Sequence, residues 1–421
     1  MTTRERPALA SGPQVLPDGI EIILDISRLL SRMLHAMPTG IDRVELVYAR
    51  QLLEKAPNRL HFAAIGPVGG YGRLPQEGVL RFLDQTEERW ASARTPSRRE
   101  LTIAAARTLA RLRPRAVPRP AAGARRYYLQ APHHLDRPDR VEAKLRNEGA
   151  RFLCLVHDLI PIEYPEYARP NGAAIHRRRI GTLGALADGL IANSQATADS
   201  VTAFLGERTP TMRVAHLGCD PLPSDAGLPA GLRPPYFVVL STIEPRKNHL
   251  LLLNLWRRMI ETLGPDATPH LAIVGRRGWE NENVVDMLER CDSIRGHVHE
   301  LSGLPDRAVG TLLRNARALL CPSFAEGFGK PVTEALLSGT PVLCSDLPAL
   351  REAGGTVPDF IDPLDGPGWL AAITAYARDG SPARLRQMER MQDWTPPTWD
   401  AHIATVLDLV RDIDARGDMA K

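Results

Sequence analysis

The stretch CPSFAEGFGKPVTEALLSGTPVLCSD, residues 321–346, carries the strongest indication of this chain's architecture. Its apolar start has the composition of a buried strand, and a short glycine-containing loop follows. A helix is predicted to begin near Pro331, because proline suits the first helical turn, where its missing N–H would have no partner. A second apolar run, residues 341–346, ends the stretch. This order of strand, helix and strand is typical of a parallel sheet covered by helices.

The loop inside this stretch has the residues of an anion-binding site. Gly327 and Gly329 allow a tight turn that presents backbone N–H groups at the start of the helix. Glu326 precedes the helix and Glu334 lies in it, with seven residues between them. We expect one carboxylate at the mouth of a cleft and the other along the helix start, where both can accept hydroxyl hydrogen bonds from a ribose or a hexose. A helix-dipole acid and a plain loop charge are the alternative.

The alternation extends over the second half of the chain. Apolar strands are predicted at residues 236–242, 270–275, 298–303, 318–323 and 341–346. Helical spacing of apolar residues predicts helices at residues 250–263, 306–315 and 331–338. The loops after these strands meet at one edge of the sheet, where open parallel sheets bind their ligands.

Two of those loops supply positive charge. The loop STIEPRKNH places Arg246 and Lys247 directly after a strand and at the start of a helix. A guanidinium and an ammonium beside a helix N-terminus suit a pyrophosphate, although two solvated surface cations have the same pattern. The loop VGRRGW, residues 274–279, contains Gly275 and offers Arg277 at the same edge, or is a plain turn.

The first half repeats the pattern. Its strands are predicted at residues 20–26, 60–66, 126–131, 151–158, 188–194 and 212–218, and its helices from residue 41 and at residues 171–187 and 195–205. Gly40 lies in a turn, TGIDRVE, that opens a helix, and His157 and Asp158 follow a buried strand. A lone histidine at a strand end is more often structural, but an anion site across the cleft favours a functional role.

One segment does not fit the alternation. Residues 89–126 contain eleven arginines and a single acid, Glu100. Part of the segment could form a short helix with an apolar face of Ile103, Leu109 and Leu112 and a basic opposite face. It is either an exposed, solvated insertion or a contact with anionic lipid or a polyanionic acceptor, since interfacial helices need both faces.

Composition narrows the class of protein. The 421 residues suffice for two or three domains, and a hydrophobic fraction of 43% can build large cores. Aromatic residues make up only 5%, which argues against a surface that stacks on single-stranded nucleic acid, and a net charge of +4 does not by itself indicate nucleic acid. The five dispersed cysteines indicate a reducing compartment rather than a zinc site. Without a signal peptide or a long apolar run, we expect a cytoplasmic protein.

Together these motifs resemble the family-4 retaining glycosyltransferases of GT-B fold. The spacing from Glu326 to Glu334 is similar to the E-x7-E motif of that family, and EPRKNH, LPALREAGG, TGIDR and HDLIP occur in the family's order. The resemblance covers nearly all of residues 236–362. HDLIPIEYPE and the GRRGW turn look more like the mannosyltransferase branch than the sucrose or glycogen branches.

The resemblance implies roles around a nucleotide diphosphate sugar. Glu334 would bind the donor ribose, and Glu326 would hold hydroxyls of the transferred sugar. Backbone amides of Phe328, Gly329 and Lys330 would bind the sugar and the distal phosphate.

Further residues would complete that site. Arg246 and Lys247 would neutralise the diphosphate leaving group, and His157 would line the sugar site. Gly40 would approach the phosphates from the first half, and Gly275 is placed among the donor-binding residues. With His157, Arg246, Lys247 and Glu326 as catalytic residues, no metal ligands and no cofactor are expected, since the cations supply the charge that a metal would otherwise provide.

The implied architecture is α/β, with two Rossmann-like doubly wound domains facing across a cleft. Its parts are a polar tail (residues 1–18), an N-terminal acceptor-side domain (19–225), a C-terminal nucleotide-sugar-binding domain (226–400) and a C-terminal helix (401–421) that packs back on the first domain. A proline- and glycine-rich linker, residues 221–235, separates the two domains.

The expected activity is retaining transfer of a hexose, mannose from GDP-mannose being favoured, to a saccharide or lipid-linked saccharide in cell-surface polysaccharide or glycan synthesis. A hexosyltransferase using a UDP-sugar and a catalytically silent scaffold are the alternatives. An epimerase or a phosphorylase would share the fold, but E-x7-E beside EPRKN favours a transferase. No nucleic acid partner is expected, and peripheral contact with an anionic membrane is the partner that the basic segment suggests.

Overall fold

Two predominantly parallel sheets organise the chain. The computed structural model describes residues 16–66, 69–92, 96–130 and 135–419. Most of the predicted polar tail and the last two residues of the predicted C-terminal helix lie outside these ranges, as does residue 131 at the end of a predicted strand. The two-sheet α/β architecture predicted from the sequence is confirmed.

The first sheet has seven strands in the order β3-β2-β1-β4-β5-β6-β7. They are β1 Ile20–Asp25, β2 Leu60–Ile65, β3 Tyr71–Leu74, β4 Arg125–Gln130, β5 Ala150–Val156, β6 Gly189–Ala192 and β7 Thr211–Val214. All neighbours pair in parallel except the edge strand β3, which is antiparallel to β2. The central strands are buried almost throughout, as expected for a sheet covered on both faces.

Eight helices accompany this sheet in the described part of the first half. They are α1 Ser27–Ser31, α2 Gly40–Lys55, α3 Gln76–Ala91, α4 Arg98–Arg111, α5 Pro138–Glu148, α6 Ile160–Glu163, α7 Gly172–Leu186 and α8 Gln195–Leu205. Thr39 caps α2 in a box with Asp42, which fixes where this helix begins.

The second sheet has six strands, all parallel, in the order β10-β9-β8-β11-β12-β13. They are β8 Tyr236–Leu240, β9 His270–Val274, β10 Val298–Leu301, β11 Leu319–Cys321, β12 Val342–Ser345 and β13 Asp359–Ile361. Seven helices accompany this sheet within the described residues: α9 His249–Leu263, α10 Glu282–Arg290, α11 Asp306–Asn315, α12 Lys330–Leu337, α13 Pro348–Gly354, α14 Gly366–Ala377 and α15 Pro382–Met391.

The last helix, α16 Trp399–Met419, returns to the first sheet. Its His402 lies 2.5 Å from the hydroxyl of Tyr48 on α2, and its Asp414 accepts a hydrogen bond from Tyr127 on β4 at 2.8 Å. Gly189 of β6 has no room for a side chain because Ile413 packs against it. The chain therefore crosses between its halves twice, once at residues 221–235 and once before α16.

The basic segment does contain the predicted helix, but the residues of its predicted apolar face do not share one environment. Leu101 and Ala105 of α4 and Leu112 just beyond it are buried, whereas Ile103 is 43% exposed. The predicted apolar face of Ile103, Leu109 and Leu112 is therefore not one exposed face, because Leu112 packs inside while Ile103 is exposed. No helix in the described ranges is both long enough and apolar enough to cross a membrane.

Candidate active site

A buried carboxylate joins two strand-end loops of the second half. Glu326 follows β11, and its side chain is 7% exposed. Its Oε1 accepts hydrogen bonds from Nζ of Lys247 at 2.5 Å and from Oγ of Ser323 at 2.7 Å, and its Oε2 accepts one from Nη1 of Arg246 at 3.0 Å. Arg246 Nε also lies 2.6 Å from a carboxylate oxygen of Glu244. We call these five residues the Glu326 cluster.

Charges within the Glu326 cluster stabilise one another. Burial raises the pKa of Glu326, but the charges of Lys247 and Arg246 outweigh that effect and hold the pKa at about 2. Burial lowers the pKa of Arg246, and the carboxylates of Glu326 and Glu244 more than reverse this, so that its pKa is raised. Glu326 and Arg246 are therefore both ionised at neutral pH.

Short turns bring the two loops of the cluster together. The 3₁₀ turn Pro245–Lys247 comes after β8 and carries both cations. The backbone N–H of Phe324 donates to the carbonyl of Arg246 at 2.8 Å, and Nη1 of Arg246 donates to the carbonyl of Ala325 at 2.8 Å. Two adjacent parallel strands, β8 and β11, thus present the cations and the acid side by side.

A cavity of about 500 Å³ lies between the two halves, beside α12. We call it the Glu334 cavity. Four of the residues predicted to bind the donor line it: Gly40, Gly275, Lys330 and Glu334. Nζ of Lys330 lies 2.8 Å from Oε1 of Glu334, and their side chains are 21% and 17% exposed. Burial lowers the pKa of Lys330, but Glu334 more than reverses this, so its pKa is raised.

The two predicted glycines of this cavity, Gly275 and Gly40, differ in whether the structure requires glycine at their positions. A Cβ on Gly275 would meet the carbonyl oxygen of Ser241 at 1.9 Å, so only glycine allows the loops after β8 and β9 to approach each other. A Cβ on Gly40 would meet nothing within 4 Å. Gly40 is the first residue of α2, and its place leaves the start of that helix open to the cavity.

Sequence reasoning missed other residues that line the Glu334 cavity. Arg43 forms a bidentate ion pair with Asp306 across the two halves, at 2.6 and 2.8 Å. Arg276 also lines the cavity, whereas the neighbouring Arg277, which the sequence suggested, binds Glu300 on the outer surface. Two adjacent arginines point apart here, and the loop sequence alone did not indicate which faces the cleft.

A second cavity, of about 530 Å³, lies between the halves on the other side of Arg246. We call it the Arg179 cavity. The first half contributes the loop after β5, the turn at Tyr167 and one face of α7, and the second half contributes Glu244, Arg246 and Trp279. Trp279 donates its indole N–H to the carbonyl of Tyr167 at 3.0 Å. Sequence analysis did not assign Arg179 or Trp279 a role.

Gly327 lies where the Glu326 loop touches the first half. A Cβ on it would meet the carbonyl oxygen of His157 at 2.2 Å. The hydroxyl of Ser194 donates to the carbonyl of Gly327 at 2.6 Å, and that of Thr197 donates to it at 3.1 Å. The glycine that the sequence associated with a tight turn is thus also required for the contact between the two halves.

Three residues predicted to contact the donor do not line either cavity: His157, Phe328 and Gly329. Burial lowers the pKa of His157 to about 4, and its Nε2 has no hydrogen-bond partner among the described residues. Phe328 is buried, with its ring centroid 5.5 Å from that of His216. Gly329 caps α12 with a φ of 103°, a backbone conformation that favours glycine. His157 is therefore neutral at physiological pH.

One acid of the second half is bound by the first half. Glu352 on α13 accepts hydrogen bonds from the N–H groups of Gln195 and Ala196, at 2.6 and 2.8 Å, at the start of α8. It also lies 3.0 Å from Nε2 of His216. Helix N-termini stabilise carboxylates, so this contact joins α13 of the second half to the start of α8 in the first.

Comparison of the sequence with known proteins identifies relatives of this chain. Residues 225–355 match the family described as glycosyl transferases group 1. The chain is 30% identical over 230 residues to the serotype-specific mannosyltransferase WbdA of Escherichia coli, which covers 49% of this chain and 27% of that protein. It is 35% identical over 147 residues to an O-antigen chain mannosyltransferase B of Escherichia coli, covering 35% of this chain and 38% of that protein. The chain thus spans well under half the length of these relatives.

Solved structures share the fold over nearly the whole chain. Anabaena Alr3699/HepE, in complex with UDP-glucose, covers 95% of this chain and 99% of its own, with a TM-score of 0.58 at 14% identity. Sucrose-phosphate synthase from Thermosynechococcus elongatus covers 94% of this chain and 99% of its own, with a TM-score of 0.58 at 17% identity. The GT-B fold and the resemblance to the mannosyltransferase branch, both predicted from the motifs, are confirmed.

Proposed function

We propose that this protein is a retaining glycosyltransferase that moves mannose from GDP-mannose to a saccharide acceptor in glycan or polysaccharide synthesis. One observation carries the proposal. The buried Glu326 cluster, with two cations on one carboxylate, lies between two strand-end loops whose neighbours line the Glu334 cavity. A nucleotide in that cavity would place its diphosphate toward these cations.

Each wall of the Glu334 cavity has a proposed task. Glu334 accepts hydrogen bonds from the ribose, as its partly exposed carboxylate can do in addition to its contact with Lys330. Lys330 and Arg276 bind phosphate oxygens, and the open start of α2 at Gly40 presents N–H groups to the same oxygens.

The Glu326 cluster is assigned to the chemical step. When the bond between the sugar and the diphosphate breaks, negative charge builds on the departing phosphate. Arg246 and Lys247 stabilise that charge where it develops, and they are already held in place by Glu326. The two oxygens of Glu326 have further lone pairs that accept sugar hydroxyls. Because the cations supply the charge, we propose a reaction that needs no metal.

Retention of configuration is proposed through attack on the same face that the diphosphate leaves. The departing phosphate oxygen takes the proton of the acceptor hydroxyl, so no enzymatic nucleophile is assigned. His157 is neutral and lines neither cavity, so it is assigned no contact with the sugar in the proposed reaction.

A donor panel tests the function. Purified protein is incubated with GDP-mannose, UDP-glucose and UDP-N-acetylglucosamine, and the released nucleoside diphosphate is measured. We expect the fastest release from GDP-mannose, since the curated relatives are mannosyltransferases. Faster release from a UDP-sugar would favour the alternative donor, to which the fold shared with a UDP-glucose complex also points. No release from any donor would favour the silent scaffold.

A membrane contact is proposed for the face that carries α4. Seven arginines of α4 and of the segment that follows it are exposed and form no ion pair within the described ranges: Arg98, Arg99, Arg107, Arg111, Arg113, Arg115 and Arg119. The exposed Ile103 lies among them. Basic residues beside an exposed apolar side chain suit an anionic lipid surface, with roughly 1 kcal/mol gained per arginine.

Sedimentation with phosphatidylglycerol vesicles tests this contact. Changing Arg98, Arg99, Arg107 and Arg111 to Gln should abolish sedimentation, whereas the same change at four exposed arginines of the second half, Arg257, Arg258, Arg314 and Arg386, should not. An equal loss of sedimentation in both variants would mean that binding depends on the net charge of the protein and not on this face. Deletion of the segment is unsuitable, because Leu101 and Leu112 belong to the packed interior.

A further inference from the structure

The Arg179 cavity contains two guanidinium groups that form no ion pair with any residue that the structure describes. Arg179, on α7, has a buried Nε with no hydrogen-bond partner among the described residues. Arg169 lies over the ring of Trp279, with its guanidinium carbon 4.8 Å from the ring centroid. Neither arginine forms an ion pair with any carboxylate in the described part of the chain. Arg169 is exposed and Arg179 is partly buried. A buried donor such as Nε of Arg179 is seldom left without a partner.

The acids that line this cavity do not satisfy these two arginines. Glu244 is bound to Arg246 at 2.6 Å. One oxygen of Asp158 accepts a hydrogen bond from the backbone N–H of Ile160 at 3.1 Å, and no ion pair joins it to Arg169 or Arg179. The site therefore has free positive charge next to a carboxylate that can still accept hydroxyl hydrogen bonds.

The walls of the cavity are fixed before a ligand arrives. The ring of Tyr167 stacks on that of Phe324 with centroids 5.9 Å apart, and Trp279 is bound to the carbonyl of Tyr167. His176 on α7 lies 3.0 Å from the carbonyl oxygen of Asp158. A preformed, partly aromatic pocket of this kind is suited to a small ring-shaped ligand.

We propose that the Arg179 cavity binds the acceptor and that the acceptor is a saccharide or polyol that carries a phosphate. This inference rests on the proposed function and names its second substrate. Two guanidinium groups match the oxygens of a phosphate in a way that a neutral sugar cannot use. Asp158 accepts a ring hydroxyl, and Arg246 lines the cavity, so that an acceptor hydroxyl there lies beside the cluster proposed to bind the departing phosphate.

Binding measurements on the whole protein test the inference. Methyl α-mannoside 6-phosphate and methyl α-mannoside are titrated by calorimetry with the Glu334 cavity saturated by GDP. We expect the phosphorylated glycoside to bind at least tenfold more tightly. Arg179→Gln should remove that preference, Arg179→Lys should retain part of it, and Arg178→Gln, an exposed neighbour on the same helix, should leave it unchanged. Equal binding of both glycosides by the native protein would overturn the inference.

Two further measurements are needed. One distinguishes a lipid headgroup from a free sugar phosphate, and the other distinguishes failure of the proposed function from failure of the inference about the acceptor. A short-chain phosphatidylinositol is titrated in parallel, because a lipid headgroup and a free sugar phosphate present the same chemistry. Tighter binding of either one, if lost in Arg179→Gln, supports the inference and identifies the source. GDP binding is measured first, and its failure would count against the proposed function alone. An Arg179→Gln protein that keeps native phosphate affinity would count against the inference alone.

Discussion

The Glu326 cluster and the Arg179 cavity adjoin each other at Arg246, but their cations differ in one respect. In the cluster, Lys247 and Arg246 are bound to buried carboxylates. In the cavity, Arg169 and Arg179 have no acidic partner among the described residues. The paired cations are fixed in position and cannot leave without exposing a buried acid. The guanidinium groups of Arg169 and Arg179 are available to bind an anion from outside the chain.

Under the proposed function, the difference separates charges that would serve the reaction from charges that would bind a substrate. Stabilising a transition state requires groups that do not reorganise when the charge develops. Binding a phosphate requires cations whose hydrogen bonds are still available. Substitutions in the two regions should therefore have different consequences for stability and for kinetics.

The largest effect is expected when the cluster loses a cation. Lys247→Met leaves Glu326 buried with one partner fewer, which should lower the free energy of unfolding by about 3 to 5 kcal/mol. The same change should lower kcat by roughly 100-fold, because the missing charge acts in the transition state. Urea unfolding and initial rates check both, with Arg257→Met, an exposed cation on α9, as the control. A normal kcat with a raised KM would mean that Lys247 binds both states equally.

The next effect concerns pH. The pKa of Glu326 is about 2 in the folded protein and 4.5 in a free side chain, so its ionised form stabilises the fold by about 3 kcal/mol. Because the folded pKa is the lower one, this contribution is complete above pH 4.5 and disappears as the pH falls toward 2. Glu326→Gln should flatten the fall in stability across that window, and Glu282→Gln, an exposed acid, should not. If the free energy of unfolding fell equally with pH in both variants, Glu326 would not be the group with the lowered pKa.

A smaller effect is expected at the nucleotide end. Glu334→Ala should weaken GDP binding by about 1.5 to 3 kcal/mol, because ribose hydroxyls would lose their acceptor. Calorimetry on the folded variant measures this, and Glu282→Ala provides a matched control. An unchanged affinity would remove Glu334 from the ribose site.

The smallest effect is expected where the two halves meet. Glu352→Gln keeps the shape of the side chain but weakens its contact with the start of α8, at a cost of about 1 kcal/mol. Weakening this contact should let the first and second halves separate more readily. Small-angle scattering should show a larger radius of gyration for Glu352→Gln than for the native protein. The control Glu389→Gln, on α15, should show no increase. A native radius in the Glu352 variant would mean that other contacts hold the halves.

The sequence predicted the fold well where its periodicity was strong. The helices α8 and α11 were predicted with their observed ends, and the strands β1, β5 and β8 were recognised from continuous apolar runs. It missed the edge strand β3 and the strand β13, which has only three residues. Such short strands are set by pairing with a neighbour, and local sequence carries little of that information.

The grouping of the residues in the candidate site was predicted in part. Glu326, Arg246 and Lys247 were recognised because loops after parallel strands meet at one edge. The unpaired state of Arg179 was not visible, because α7 contains three consecutive arginines and their sequence does not reveal which one faces the cleft. The role of Gly327 in the contact between the halves depends on the approach of His157, a residue far away in the chain.

Release of GDP from GDP-mannose, measured side by side in Lys247→Met and Arg179→Gln with water as the only acceptor, tests the division between the two regions most directly. We predict that Arg179→Gln releases GDP at the native rate and that Lys247→Met is slower by roughly 100-fold, because Lys247 is assigned to the leaving group and Arg179 is not. Equal slowing in both variants would contradict the account, since the free arginines would then belong to the chemical step.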